Sequence, residues 1–505
     1  MLRDNAENFG DKVAYRDRRR AVGYGDLERR TRWLAGHLDL LGVERGALVA
    51  ILLDNCVEAV ESSLAITRAA AVSVPVNPRA SDSEVRQLLR DVALVVTDER
   101  HVDQVLKTLP DAGQARVVVT GDDPATAGAP AGALMFENLA EIDPGTPARD
   151  DLGLDDVAWL LHTSGSTGHA KGVLLSQRAG LWSVSESFLP ALKFTADDAL
   201  LWPLPLFHSF AQSVCLLAVI TAGAEATVLD GFQPQDVLQE LGERRHTVLA
   251  GVPTTFHGLV EAARDGSTPP APARVGLSAG APCTPELRRA FEETFGVPLL
   301  NGYGTTETAG VIAVDRPVGS RVEGSCGPPV PGVELRLVDP QTLEEVFEDE
   351  GEIWVSGPGI MIGYRDLPEE SAAALHDGWY RTGDLGIFEG GHLVVTGRLK
   401  DLIISGGQNI HPAEVERVLL TLPGVADAIV VGAAHEALGE VPEAFVVPGP
   451  GGVDPRALLA GCRAELPEYK VPVAVHLAEV LPKTSSGKPD RRAVALLTRA
   501  GRTER

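Results

Sequence analysis

Residues 163–172 read Thr163-Ser164-Gly165-Ser166-Thr167-Gly168-His169-Ala170-Lys171-Gly172. They follow an apolar run, 157–161, so a buried strand is expected to run into a donor-rich loop. Glycine lets the backbone approach a ligand closely. Successive N–H groups, hydroxyls and the Lys171 ammonium can then wrap a polyanion such as a triphosphate. Lys171 does not follow Gly168 directly, so no Gly-x4-Gly-Lys-Ser/Thr frame fits. Alone, such a loop reads equally well as a surface turn.

Four other stretches carry matching chemistry. Asn301-Gly302-Tyr303-Gly304-Thr305-Thr306-Glu307-Thr308 sets a ring, hydroxyls and one carboxylate in a glycine-punctuated turn. The ring can stack on a base, a hydroxyl can bond phosphate, and Glu307 can hold Mg2+, which takes oxygen ligands. Its plainer reading is a tight turn with a solvated Glu. Tyr380-Arg381-Thr382-Gly383-Asp384 offers a carboxylate able to accept two ribose hydroxyls, though Asp in such a turn is often structural. Gly397-Arg398-Leu399-Lys400-Asp401 runs into Ile404-Ser405-Gly406-Gly407-Gln408-Asn409, placing cations beside hinge-like glycines. Pro482-Lys483-Thr484-Ser485-Ser486-Gly487-Lys488 is a loop with a lysine near the C-terminus, a residue that by itself is usually solvated.

The elements that must position these groups alternate in type. Segments 48–53, 94–97, 117–120, 247–252 and 299–300 read as strands, and 26–41 as a helix with Leu27, Leu34, Leu38 and Leu41 on one face. That pattern predicts α/β architecture with largely parallel sheets. Beyond about residue 320, short strands at 333–338, 352–357 and 393–397 between Gly and Asp turns predict a β-rich subdomain. After Arg398, strands at 402–405, 428–431 and 444–447 flank a helix bearing Val415, Val418, Leu419 and Leu422, as in a compact α+β module. The division is therefore 1–398 and 399–505. Segments 121–133, 265–272 and 448–455 are Gly/Pro/Ala-rich and read as flexible.

The 505 residues exceed one ordinary core. A net charge of −25 argues against a general nucleic-acid surface or docking on anionic lipid. No apolar run reaches the roughly 20 residues needed to span a bilayer, and neither end carries a recognisable address. Five scattered cysteines form no C-x-x-C pair, so neither a disulfide framework nor a zinc site is expected, and a cytoplasmic setting fits.

In this order and spacing the five motifs resemble the adenylate-forming superfamily of acyl-CoA synthetases, adenylation domains and firefly luciferases. The resemblance runs from Tyr24-Gly25-Asp26-Leu27 to Arg492. One departure is Ala170, where the family usually has Pro. The resemblance implies a large N-terminal AMP-binding domain with a β-rich subdomain and a small mobile C-terminal lid. It implies that Thr163, Ser164, Gly165, Ser166, Thr167, Gly168 and Lys171 bind the β- and γ-phosphates. Gly280 and Ala281, with Asn301, Gly302 and Tyr303, match the adenine pocket. Thr306 matches the α-phosphate contact and Glu307 the Mg2+ ligand, with Thr163 a second candidate ligand. Asp384 and Arg398 match ribose contacts, Lys400 the hinge, and Lys488 the lysine that stabilises the adenylation transition state. His208, in Pro205-Leu206-Phe207-His208-Ser209, matches the gate beside the acyl pocket; without the motif it reads as a core histidine. Ser405, Gly406 and Gly407 mark the pantetheine channel.

The activity so implied is an ATP- and Mg2+-dependent carboxylate–CoA ligase acting on a fatty or aryl acid, as monomer or homodimer, with no nucleic-acid partner. A stand-alone enzyme loading an acyl or β-amino-acyl group onto a carrier protein in trans is the alternative. A non-catalytic nucleotide-binding relative fits poorly with the retained Glu307, Asp384, Arg398 and Lys488, and nothing separately supports an oxygenase. The expected acyl pocket, 207–212, 252–256, 278–281 and 302–304, is mostly apolar, small or aromatic, which favours an apolar tail. Asp230 would pair with a substrate amine if it pointed inward, but a polar turn residue before Gly231 is the plainer reading.

Overall fold

The computed structural model describes residues 1–109, 116–121, 133–163, 170–264, 273–317, 319, 321–482 and 490–500. The expected flexible segments 121–133 and 265–272 lie almost wholly outside these. The chain forms two compact units: Met1–Glu334 with Val355–Tyr380 and Gly390–His392, and Leu335–Trp354 with Arg381–Glu389 and Leu393–Arg505.

Two eight-stranded sheets build the first unit. In one, the parallel strands Leu299–Tyr303, Val275–Ala279, Val248–Gly251, Ala199–Trp202, Glu225–Val228 and Val13–Arg16 lie side by side, with Ala313–Val314 and Ala21–Gly23 antiparallel at the edges. In the other, Val157–Thr163, Val72–Pro75, Leu48–Leu52, Val92–Asp98, Arg116–Thr120 and Leu134–Met135 run parallel. Lys171–Ser176 and Gly363–Tyr364 continue that sheet antiparallel. The strands are rich in Val and Leu because helices cover both faces of a parallel sheet. Helix Tyr24–Leu40 buries Leu27, Leu34 and Leu38, as its 3.6-residue spacing dictates. The apolar stretch Ala211–Ala218 is a wide π-type turn with every residue buried; such turns are frequent beside functional sites.

A buried ion network ties the helices of this unit. Glu61, fully buried, accepts Arg30 Nε at 2.6 Å and Arg20 Nη2 at 2.5 Å. Arg30 is only 3% exposed and also reaches Glu137 and Glu141. Removing one partner of such a network leaves uncompensated charge in a low dielectric, which costs about 3–5 kcal/mol. Glu61→Leu is therefore expected to lower the unfolding free energy, measured by denaturant titration, by that amount. A loss under about 1 kcal/mol would mean that Glu58, Glu137 and Glu141 satisfy both arginines without it.

A sheet lying mostly in the second unit joins Glu334–Val338, Glu345–Val346, Gly351–Ser356, Trp379–Glu389 and His392–Arg398, short β-structure of the kind the Gly/Asp punctuation predicts. A separate sheet of Ile403–Ser405, Gln408–Ile410, Val425–His435, Gly439–Pro448 and Ala474–Leu477 packs on helices Pro412–Thr421 and Pro455–Glu465. Val415, Val418 and Leu419 enter its core beside Ile403, Val430, Ala444 and Cys462, with Leu422 partly buried at its edge. All five cysteines are buried and none is in a disulfide.

Candidate active site

In the first unit, Thr163 closes one strand and Lys171 opens the next, and the two are cross-strand partners. The phosphate-loop candidate is thus the connection of a β-hairpin whose two ends meet. Ser164, Gly165, Ser166, Thr167 and Gly168 lie outside the described residues, and so does Lys488. Lys171 is already in a strand, and its ammonium sits 4.8 Å from the Tyr364 ring centre.

The turn after strand Leu299–Tyr303 holds Thr306 and Glu307 in a single 3-10 turn. Thr308 caps it twice: its hydroxyl accepts Thr305 N–H at 3.1 Å and donates to Thr305 O at 3.0 Å. Gly304 is required by close approach, since a Cβ there would meet Gly310 O at 2.0 Å. The turn is stapled to the helix after His208. Ser209 Oγ lies 3.2 Å from Thr306 Oγ1, and Ser213 Oγ donates to Ala309 O at 2.8 Å. His208 is half-buried, its ring tilted 47° against Phe207 at 4.2 Å.

Glu307 accepts the Tyr364 hydroxyl on Oε1 at 2.9 Å, and its backbone carbonyl accepts Met361 N–H at 2.8 Å. Among the described residues nothing hydrogen-bonds Oε2. One carboxylate oxygen is held and the other is open, a donor chemistry that fits a hard oxygen-seeking cation such as Mg2+. Burial, and then the Glu307 charge, push the Tyr364 phenol well above its ordinary range. Tyr380 is raised by the same two causes in the same order. Both phenols therefore remain hydroxyl donors at any working pH.

The base-pocket candidates sit at adjacent strand ends, where Ser278 pairs with Asn301 and Ala279 with Gly302. Asn301 is buried; its Nδ2 donates to Ser325 O at 3.0 Å, while its Oδ1 has no hydrogen-bond partner among the described residues. Gly280 adopts φ +82°, and a Cβ there would meet nothing nearer than Val252 Cγ1 at 3.9 Å, leaving an open floor beside Ala281.

In the second unit, Asp384 is buried and Arg398 half-exposed, and Arg398 Nε pairs with Asp384 Oδ1 at 2.8 Å. Thr382 fixes the turn, its hydroxyl accepting Asp384 N–H at 3.0 Å and donating to Ile353 O at 2.8 Å. Lys400 is exposed in the short turn Leu399–Asp401. Gly406 and Gly407, at φ +57° and +83°, form the two-residue turn between Ser405 and Gln408, where both central residues of a tight hairpin need positive φ.

Some readings change. Phe256 is fully buried and packs edge-on against Phe291 at 5.0 Å, so it belongs to a core and leaves the expected acyl lining. Asp230 is exposed, 3.4 Å from Arg18, as a turn residue would be. The sequence reading missed Tyr364. Its signal was rarity: the chain has six tyrosines, and Tyr303, Tyr364 and Tyr380 cluster near Glu307. It also missed Asp315, a buried carboxylate that accepts Asn301 N–H at 3.2 Å and is raised by burial. Asp54, Asp98 and His101 group within 4.8 Å, but Asp98 is taken up by His101 Nδ1 at 2.7 Å and by two backbone N–H groups. A surface pocket of about 500 Å³ between Arg45 and Arg365 includes none of the candidate residues, and both arginines are already paired with aspartates.

The carboxylate-bearing turn lies at the end of a strand of a mostly parallel α/β sheet, the place where such sheets bind ligands. Residues 2–365 match the family described as AMP-binding enzyme, and 414–488 match the AMP-binding enzyme C-terminal domain. The chain is 40% identical to a naringenin synthase of Pestalotiopsis fici over 99% of its own length and 19% of that protein's. It is 36% identical to a feruloyl-CoA synthase of Amycolatopsis, covering 93% of this chain and 92% of that one. ATP-bound MatB from Rhodopseudomonas palustris superposes with TM-score 0.88 at 30% identity, over 98% of both chains. The chain belongs to the AMP-binding enzyme family. It spans under a fifth of the length of the first two curated relatives it matches.

Proposed function

We propose that this chain is an ATP-dependent carboxylate–CoA ligase that forms an acyl-adenylate and then an acyl-CoA thioester. The observation that carries the reading is the pairing, in one unit, of Lys171 at the base of the hairpin loop with a Glu307 carboxylate open on one oxygen. CoA as acceptor is supported by the feruloyl-CoA synthase, which corresponds to this chain along nearly its whole length. Feruloyl is an aryl acyl group, so an aryl acid is the favoured substrate, with fatty acids next.

The chemistry sets the roles. A carboxylate oxygen leaves badly, so the acid must first be activated. The carboxylate attacks the α-phosphorus of ATP and pyrophosphate departs; a thiol then attacks the acyl carbonyl and AMP departs. Negative charge grows on the α-phosphoryl oxygens in the first step, where fixed positive groups lower the barrier. Thr306 would bond the α-phosphate, and Thr163 to Lys171 would hold the β- and γ-phosphates. Mg2+, when bound, supplies charge neutralisation on the triphosphate; Glu307 would hold it, with Thr163 a second ligand. Asn301, Gly302, Tyr303, Gly280 and Ala281 would line the base site, and His208 would gate the acyl pocket. Asp384 and Arg398 would meet the ribose, so their mutual ion pair would orient the carboxylate. Gly406 and Gly407 would border the pantetheine.

Functionally the division falls at Arg398, with 399–505 as a moving lid and Lys400 its hinge. Lys400→Pro would restrict φ and remove an N–H. It is expected to slow thioester formation at least about tenfold more than adenylation, a difference of 1.4 kcal/mol or more in barrier. Equal slowing of both half-reactions would remove the hinge role.

The test is ATP-dependent pyrophosphate release across short and long fatty acids, aryl acids and β-amino acids, with and without CoA. Turnover raised by CoA on an aryl acid supports the proposal. A single burst that CoA leaves unchanged would favour a carrier protein. That second reading draws on the naringenin synthase, in which the matching segment is a fifth of a longer chain.

A further inference from the structure

Tyr364 stands between Lys171 and Glu307, two charged candidates of the first unit. Strand Gly363–Tyr364 pairs antiparallel with Lys171–Ser176, and Tyr364 lies opposite Val173. Lys171 is two residues before Val173, hence on the same face and diagonal to Tyr364, within reach of a long side chain. Its ammonium lies 4.8 Å from the ring centre, in range for a cation–π contact. At the other end of the same ring, the hydroxyl donates to Glu307 Oε1 at 2.9 Å. The tyrosine is itself pinned: its N–H donates to Ser371 Oγ at 2.8 Å, and Ser371 Oγ donates on to Leu367 O at 2.7 Å.

We propose that Tyr364 is a positioning residue that couples Lys171 to Glu307, its ring face holding the ammonium and its hydroxyl fixing the carboxylate. This rests on the reading above that Lys171 meets phosphate and Glu307 holds Mg2+. The hydroxyl occupies one oxygen of Glu307, which turns the other toward a cation. The ring places a positive charge beside the loop without neutralising it, as a carboxylate partner would. One side chain thus sets the spacing between the phosphate-binding cation and the metal-binding anion. It touches neither reacting atom, so its effect should appear in how nucleotide and metal bind together.

Two variants separate the halves of the claim. Tyr364→Phe keeps the ring and removes the hydroxyl; Tyr364→Leu removes both. ATP affinity is measured by titration calorimetry on the full chain, once with excess Mg2+ and once with EDTA. Mn2+ binding in the presence of ATP is followed in parallel by electron paramagnetic resonance. Tyr364→Phe is expected to weaken ATP binding about tenfold with Mg2+, or 1.4 kcal/mol, to weaken Mn2+ binding similarly, and to leave metal-free ATP affinity unchanged. Tyr364→Leu is expected to weaken ATP binding under both conditions. If Tyr364→Phe shifts both conditions equally, or neither, the coupling role is wrong. If Tyr364→Leu leaves metal-free binding intact, the ring does not hold Lys171 and the proposal fails on that side. A wild-type chain whose ATP affinity ignores both Mg2+ and Glu307→Gln would instead defeat the underlying Mg2+ reading. Thermal melts identify any variant that fails to fold, and Tyr364→Phe, which removes one oxygen, carries the test if Tyr364→Leu does.

Discussion

Lys488→Ala is expected to cut ATP-dependent adenylation by about 10²–10³-fold, the usual cost of losing one fixed group aimed at developing charge. Thioester formation from a supplied acyl-adenylate should persist nearly unchanged. The asymmetry follows from where charge grows. In the first step the α-phosphoryl oxygens gain negative charge, and an ammonium near them lowers the barrier. In the second step AMP departs as the thiol attacks, but Lys488 lies in 399–505, which the proposed lid motion carries away, so its ammonium takes no part in that step. Stopped-flow pyrophosphate release and a chromatographic assay of thioester from synthetic acyl-adenylate separate the two. Equal losses in both would show that Lys488 binds substrate or supports the fold, and would remove its assigned role.

Glu307→Gln should be nearly as damaging to adenylation, by about 10²-fold, and in a different manner. The amide is isosteric and can still accept the Tyr364 hydroxyl, so the turn Thr306–Thr308 should keep its shape. What it loses is the charge that a hard cation requires. The deficit should therefore shrink as Mg2+ is raised, and the concentration giving half-maximal rate should rise at least about tenfold. A variant that loses activity with no change in Mg2+ requirement would place Glu307 outside the metal site. Together the substitutions distinguish charge supplied by the chain at Lys488 from charge recruited through Glu307.

Much of the architecture was legible because it rests on local periodicity. The strands at 48–53 and 117–120 were within a residue or two of Leu48–Leu52 and Arg116–Thr120, since β-branched runs between turn residues have few other uses. The helix carrying Leu27, Leu34 and Leu38 was legible from spacing alone. Strand Leu299–Tyr303 ran three residues past its expected end because cross-strand pairing with Val275–Ala279 and Ala313–Val314 holds Asn301 and Gly302 extended. Local propensity does not encode such pairing.

The candidate site divides the same way. That Thr306 and Glu307 lie in a tight turn was legible because glycines and hydroxyls crowd that segment. Tyr364 was not, because its meaning lies in a hydrogen bond to a residue 57 positions earlier and in a strand pairing almost two hundred positions back. Phe256 was misplaced for the converse reason. An aromatic residue beside expected pocket residues in sequence packs into the core against Phe291. Asp315 escaped notice as a lone carboxylate, whose burial against Asn301 only the fold reveals.

The most direct measurement uses an aryl acid whose carboxylate oxygens are both ¹⁸O-labelled, incubated with the chain, ATP, Mg2+ and CoA. If the carboxylate attacks the α-phosphorus, AMP leaves with one labelled oxygen and the thioester keeps the other. Mass spectrometry should then find one ¹⁸O in AMP and none in pyrophosphate. Label in inorganic phosphate, or unlabelled AMP beside labelled thioester, would contradict acyl-adenylate formation and with it the central account.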